Sequence, residues 1–150
     1  MKRILIFCVL ATVVLACNKD NFKTEPQVEI KSFGPSEVIN KQIITLRAIV
    51  RDKEGDVQDS VILVRKRFTG DILLGNPDSL RYSIKELGAP TKSEIEVTAL
   101  FSYGETQDGY IYQALESGSD KNFSVGIIVT DKAGHRSSYV ESGKIVLKKF

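Results

Sequence analysis

Cys17 sits in VVLACNKD, residues 13 to 20, where an apolar run closes on a cysteine and turns polar at once. The thiolate of a cysteine is a nucleophile, so this residue can serve as a free thiol, as half of a disulfide or as the acceptor of a covalent group. Two acidic turns offer different chemistry. DKEGD, residues 52 to 56, sets Asp52, Glu54 and Asp56 close together, with Asp59 just beyond, and DKAGH, residues 131 to 135, sets Asp131 before the only histidine, His135. Several hard carboxylate oxygens on one site are what Ca²⁺ requires, although this spacing is not that of an EF-hand loop, because Gly55 falls two positions too early. A third stretch, FSYGETQDGYIY (101 to 112), crowds Phe101, Tyr103, Tyr110 and Tyr112 around a polar, glycine-flanked turn. Exposed aromatic faces of this kind stack on sugar rings while adjacent acids bind hydroxyls. The same residues also fit cross-strand aromatic pairs stiffening a long hairpin.

Catalysis has little to stand on. Ser137 and Ser138 lie too close to His135 in sequence to form a triad with it, and neither a Gly-x-Ser-x-Gly elbow nor a zinc-type histidine spacing occurs. An acid pair for glycoside cleavage would need a cleft that a small sandwich scarcely offers. The expectation is a protein that is not an enzyme.

The N-terminus gives the compartment. Met1-Lys2-Arg3 precedes an uncharged run from Ile4 to Ala16, the pattern of a secretory signal peptide. That run is shorter than the roughly 20 residues a membrane-spanning helix needs. Residues 1–16 are expected to be removed, taking Cys8 with them and leaving 134 residues with one cysteine and no possible internal disulfide. Lys2 and Arg3 leave as well, so 19 cations then balance 19 anions. A neutral chain without charge runs lacks the basic excess that nucleic acid binding needs, and no nucleic acid partner is expected.

Val14-Leu15-Ala16-Cys17 resembles the lipobox of bacterial lipoproteins. The resemblance implies that Cys17 is alkylated by a diacylglycerol, that the chain is cut before it, and that the new amino group is acylated. The match departs from the commonest pattern at Val14 and Leu15. Each buried acyl methylene contributes about 0.8 kcal/mol, so two or three chains would anchor the protein durably. Residues 17–26 read as the lipidated cysteine and a polar tether that reaches about 30 Å at full extension. Lys19-Asp20 resembles weakly the charged signals of surface-exported lipoproteins. The expected location is therefore the outer membrane, facing either outward or into the periplasm.

From Gln27 onward the hydrophobic period is two. In QIITLRAIVRD (42 to 52), Ile44, Leu46, Ala48 and Val50 share one face while Thr45, Arg47 and Arg51 share the other. EIEVTALF and NFSVGIIVTD repeat the pattern, and shorter candidates lie at 28 to 33, 59 to 68, 79 to 84 and 143 to 150. Alternation of this kind marks half-buried strands. With turn clusters between them and no helical period, residues 27–150 are expected to form an all-β domain of about seven strands.

LRAIVRDKEGDVQDSVILV and VGIIVTDKAGHRSS resemble the strand, acidic glycine turn and strand of bacterial Ig-like domains. The resemblance implies a single Ig-like, fibronectin-III-like β-sandwich. It also implies that both turns lie at one end, which would bring Asp52, Glu54 and Asp56 near Asp131. Two explanations of that cluster stand side by side. It could hold Ca²⁺, or Asp52 and Asp131 could accept backbone N–H bonds within their turns while Gly55 and Gly134 take positive φ.

The function expected is that of a membrane-anchored, non-catalytic binding or accessory module meeting a protein or polysaccharide in the envelope. A structural lipoprotein facing the periplasm, with no small ligand, is the alternative. Apart from possible calcium and the diacylglycerol and N-acyl chains on Cys17, no cofactor is expected.

Overall fold

Alternation along 43 to 51 places Ile44, Leu46, Ala48 and Val50 in the interior and leaves Ile43, Arg47 and Arg51 exposed. This segment is the third of eleven strands in the computed structural model, which describes residues 24–57, 60–83 and 92–150. The signal and lipobox residues, Cys17 included, lie outside the described residues, as does Asp59. In chain order the strands are β1 (Gln27–Gly34), β2 (Glu37–Val38), β3 (Ile43–Arg51), β4 (Ser60–Thr69), β5 (Ile72–Leu73) and β6 (Asp78–Ser83), followed by β7 (Glu94–Tyr103), β8 (Ile111–Gln113), β9 (Lys121–Thr130), β10 (Val140–Glu141) and β11 (Ile145–Leu147). Among the described residues there is no helix.

One sheet runs β1-β3-β7-β8 and the other β2-β11-β9-β4-β5, with β6 also on β4 and β10 on β9. Together they make an all-β, Ig-like sandwich. The seven expected strands are the longer ones together with β11, while β2, β5, β8 and β10 are additional pieces of two or three residues. The inward side chains of both sheets meet in one core, where Phe101 and Phe123 pack edge to face at 6.1 Å and Phe33 lies 5.9 Å from Phe123. Truncating either fully buried ring to alanine costs about 3–5 kcal/mol. In β1, a one-residue bulge between Ile30 and Ser32 re-phases the strand so that Phe33 joins Val28 and Ile30 against the core.

Register also fixes the two ends of the sandwich. Gln27 pairs with Arg51, Arg51 with Glu94, and Ser60 with both Thr130 and Ser83. The chain therefore enters the domain, through buried Pro26, at the end that carries the 52–57 and 131–136 loops. The opposite end carries the 70–77 and 104–110 loops and the C-terminus. At about 3.4 Å per residue, the eight steps of β3 separate the two ends by about 27 Å.

Candidate functional site

At the entry end, β3 stops at Arg51 because the next residue turns its side chain back on the chain. Asp52 Oδ2 accepts the N–H of Asp56 at 3.1 Å, and Gly55 closes the turn at φ +67° with its N–H on the Asp52 carbonyl. The loop after β9 repeats the device. Asp131 Oδ1 accepts the N–H of His135 at 2.8 Å, and Gly134 takes φ +89°. The two loops are joined directly by Lys132 N–H donating to the Asp56 carbonyl at 3.2 Å. Both expected turns are thus present, and both lie at one end of the sandwich.

The turns bring the acids together. Asp52, Asp56 and Asp131 each offer a carboxylate oxygen within 4.8 Å of the others, and Glu54, Asp131 and His135 form a second such trio sharing Asp131. Asp52 and Asp131 are buried, at 3% and 1% exposure. Burial, then the neighbouring Asp52 carboxyl and the charge of Asp131, push Asp56 above the usual carboxylate range. His135 has Nδ1 2.9 Å from Asp131 Oδ2, and this hydrogen bond raises its pKa. The i to i+4 spacing of Asp131 and His135 across a glycine turn was the signal available for it.

At the far end the aromatic stretch is not the hairpin expected from sequence. The chain leaves β7 at Gly104, which takes φ +77° and donates its N–H to the Gln113 carbonyl at 2.8 Å. It then swings round through 105–110 so that β8 runs parallel to β7, with Phe101 opposite Ile111 and Tyr103 opposite Gln113. The tyrosines consequently part company. Tyr103 is fully buried and cannot serve as a stacking face. Its hydroxyl donates to the Lys148 carbonyl at 2.8 Å and accepts the Glu116 N–H at 3.0 Å. Tyr110 is half-buried, and only Tyr112 is well exposed, at 47%.

Tyr112 borders a cleft of about 230 Å³ that the sequence reading missed, lined by Arg65, Arg67, Asn76, Asp78, Tyr112 and Gln113 among others. Its origin lies in β4, where one face runs Val61, Leu63, Arg65, Arg67. The first two pack in the core, and the next two turn that face basic where the sandwich opens between β8 and the β5/β6 edge. Arg65 Nη1 donates to the Tyr112 carbonyl at 2.8 Å, its Nη2 pairs with Asp78, and its Nε is buried without a partner. Arg67 pairs with buried Glu116 at 3.3 Å. Tyr103, by holding the Glu116 backbone, thus props one wall of the cleft.

No protein-family model matches the chain, and no curated protein matches it either. Among solved structures it is similar to the sporulation control protein Spo0M of Bacillus subtilis, with 8% identity and a TM-score of 0.44 over 84% of this chain and 50% of that one. The chain thus spans half the length of that protein. It is also similar to the CARDB domain of a Pyrococcus furiosus protein solved in complex with di-metal ions, with 12% identity and a TM-score of 0.30 over 89% of this chain and 99% of that one.

Proposed function

We propose that this protein is a non-catalytic envelope module, lipid-anchored through Cys17, that captures a polysaccharide in the cleft between Arg65 and Tyr112. The observation that carries the reading is the cleft itself. An exposed aromatic ring stands beside a guanidinium with a buried, unpartnered Nε and beside the side chains of Asn76, Asp78 and Gln113. Rings supply an apolar face for a sugar, and fork-shaped or amide groups supply the directional bonds to hydroxyls and carboxylates. Placement is compatible with capture as well. With the anchor on Cys17, the attachment would be on the side of Gln27, at the entry end, and the cleft lies in the opposite half of the sandwich.

A second reading, a periplasm-facing structural module docking a partner protein, draws on the exposed Ile72 and Leu73 of β5, at 74% and 42% exposure. Protease treatment of intact cells, with a periplasmic leak control, separates the two. Capture predicts cleavage on intact cells, release or precursor accumulation with Cys17→Ser, and retention of an envelope polysaccharide that Tyr112→Ala abolishes without moving the melting midpoint. Protection until the outer membrane is opened would favour the second reading.

A further inference from the structure

At the entry end Asp52 and Asp131 cap their turns, and Asp56 stands beside them. Asp52 uses Oδ2 for its turn, but its Oδ1 is buried with no hydrogen-bond partner, in a residue only 3% exposed. Asp56 Oδ1 is likewise buried and unpartnered. Among the described residues no lysine or arginine pairs with Asp52, Asp56 or Asp131, and the one cationic side chain on the trio is the His135 imidazole on Asp131. Gathering buried carboxylates without a counter-charge is unfavourable, and proteins relieve it by protonating one of them, by pairing such groups or by placing them on a metal.

We infer that Asp52, Asp56 and Asp131 form a Ca²⁺ site, with Glu54 on its solvent side. Calcium takes six to eight oxygens at about 2.3–2.6 Å, so two oxygens on opposite sides of one ion stand about 5 Å apart. Three carboxylate oxygens mutually within 4.8 Å fit around a single ion of that size. Oxygen-only donors suit a hard cation, and three carboxylates drawn from two loops suit Ca²⁺, which tolerates irregular geometry, better than Mg²⁺, which demands near-ideal octahedral geometry and keeps its waters. The Glu54–Asp131–His135 trio would suit a softer cation, but His135 Nδ1 already faces Asp131 Oδ2 at 2.9 Å. Calcium on the first trio would pin the 52–57 loop to the 131–136 loop across the link that Lys132 and Asp56 make. The site lies at the opposite end from the cleft, and the inference does not depend on polysaccharide capture.

The test uses the full chain in detergent, with radioactive Ca²⁺ equilibrium dialysis and thermal melting in Ca²⁺, Mg²⁺, Zn²⁺ or EDTA. One Ca²⁺ should bind per chain, and at a hundredfold excess over Kd the midpoint should rise by about 5–10 °C, reversibly with EDTA. Asp56→Asn leaves the backbone bond from residue 56 to Asp52 in place and should keep the circular dichroism spectrum while weakening Ca²⁺ at least tenfold. His135→Ala should bind Ca²⁺ as before. No bound Ca²⁺ and no EDTA effect would overturn the site. So would binding that survives Asp56→Asn but is lost in His135→Ala, or tighter binding of Zn²⁺ than of Ca²⁺, since either places the ion on the Glu54 trio.

Discussion

Replacing Tyr103 by phenylalanine removes one oxygen and keeps the ring, so it isolates what the hydroxyl does. That oxygen is fully buried and has two partners, the Lys148 carbonyl at 2.8 Å and the Glu116 N–H at 3.0 Å. Ring packing against the core should be nearly unchanged, but both partners lose their bond, and the Glu116 N–H belongs to a residue only 7% exposed. A buried polar group left unsatisfied costs about 1–3 kcal/mol. Lys148, partly exposed, can recover some water. The expected net loss is therefore about 3 kcal/mol, or a midpoint lower by about 10 °C for a domain of this size. Urea and thermal unfolding of Tyr103→Phe beside the parent chain measures it. Because β7, the 114–120 segment and the C-terminus meet at this hydroxyl, the loss should appear as one cooperative transition. Below the new midpoint, ligand retention by the cleft should be intact. A midpoint lowered by less than about 2 °C would refute the assignment of Tyr103 as the tie between these segments. Loss of ligand in a fully folded variant would instead show that the Arg67–Glu116 wall of the cleft depends on this hydroxyl.

Gly126 lies in β9 beneath the Tyr139 ring, and a Cβ there would overlap the ring's far edge. Tyr139 also bonds Glu141 at 3.0 Å and stacks under Lys66. Gly126→Ala should tilt the ring away at about 1–2 kcal/mol, the lost apolar contact being partly offset by alanine's better strand propensity. In a Tyr139→Ala background the same change should be neutral or stabilising, and additive effects in a double-mutant cycle would contradict the contact. For pH, the Lys148 ammonium, then the Lys149 N–H, hold Asp120 below the usual carboxylate range. A depressed folded pKa gives stability that is present above the unfolded value, near 4, and is lost as pH falls through the folded one. The urea midpoint should therefore fall between about pH 5 and 3, and Asp120→Asn should flatten that decline.

Period two made the long strands legible because each has a core side and a wet side. Ile44, Leu46, Ala48 and Val50 are inside as their spacing requires, and so are Ile95, Val97, Ala99 and Phe101. The same parity carried two residues further puts Tyr103 inside, so its burial was readable once the strand was extended past Phe101. The short strands were not readable, since two or three residues such as Glu37–Val38 have no measurable period and form only where a neighbour offers a free edge. Nor could composition show that the chain after Gly104 returns parallel to β7, because that depends on where Gln113 finds the Gly104 N–H. The acid cluster was legible for a different reason. The resemblance to Ig-like domains put both turns at one end, where the Asp-x-x-Gly turns end their strands by local hydrogen bonds.

Arg65 and Arg67 show the limit of that logic and what it implies for function. Parity with Val61 and Leu63 points both cations toward the sheet interior, which a sequence reading treats as a conflict. The fold resolves it by ending the share of β4 in the core at Leu63, while β9 carries the core on through Val125 and Phe123. Beyond that point Asp78 and Glu116 neutralise the guanidinium groups, and Tyr112 and Gln113 wall them in. Stability alone would be served as well by apolar residues at 65 and 67, with no desolvation to offset. On the proposed reading, the guanidinium groups of Arg65 and Arg67 line the cleft as polar groups that a ligand would meet, and the buried Nε of Arg65 has no partner within the chain. The same reasoning applies to the open oxygens of Asp52 and Asp56 at the other end: on the two proposals made above, a ligand would supply bonds that the sandwich leaves open in each place.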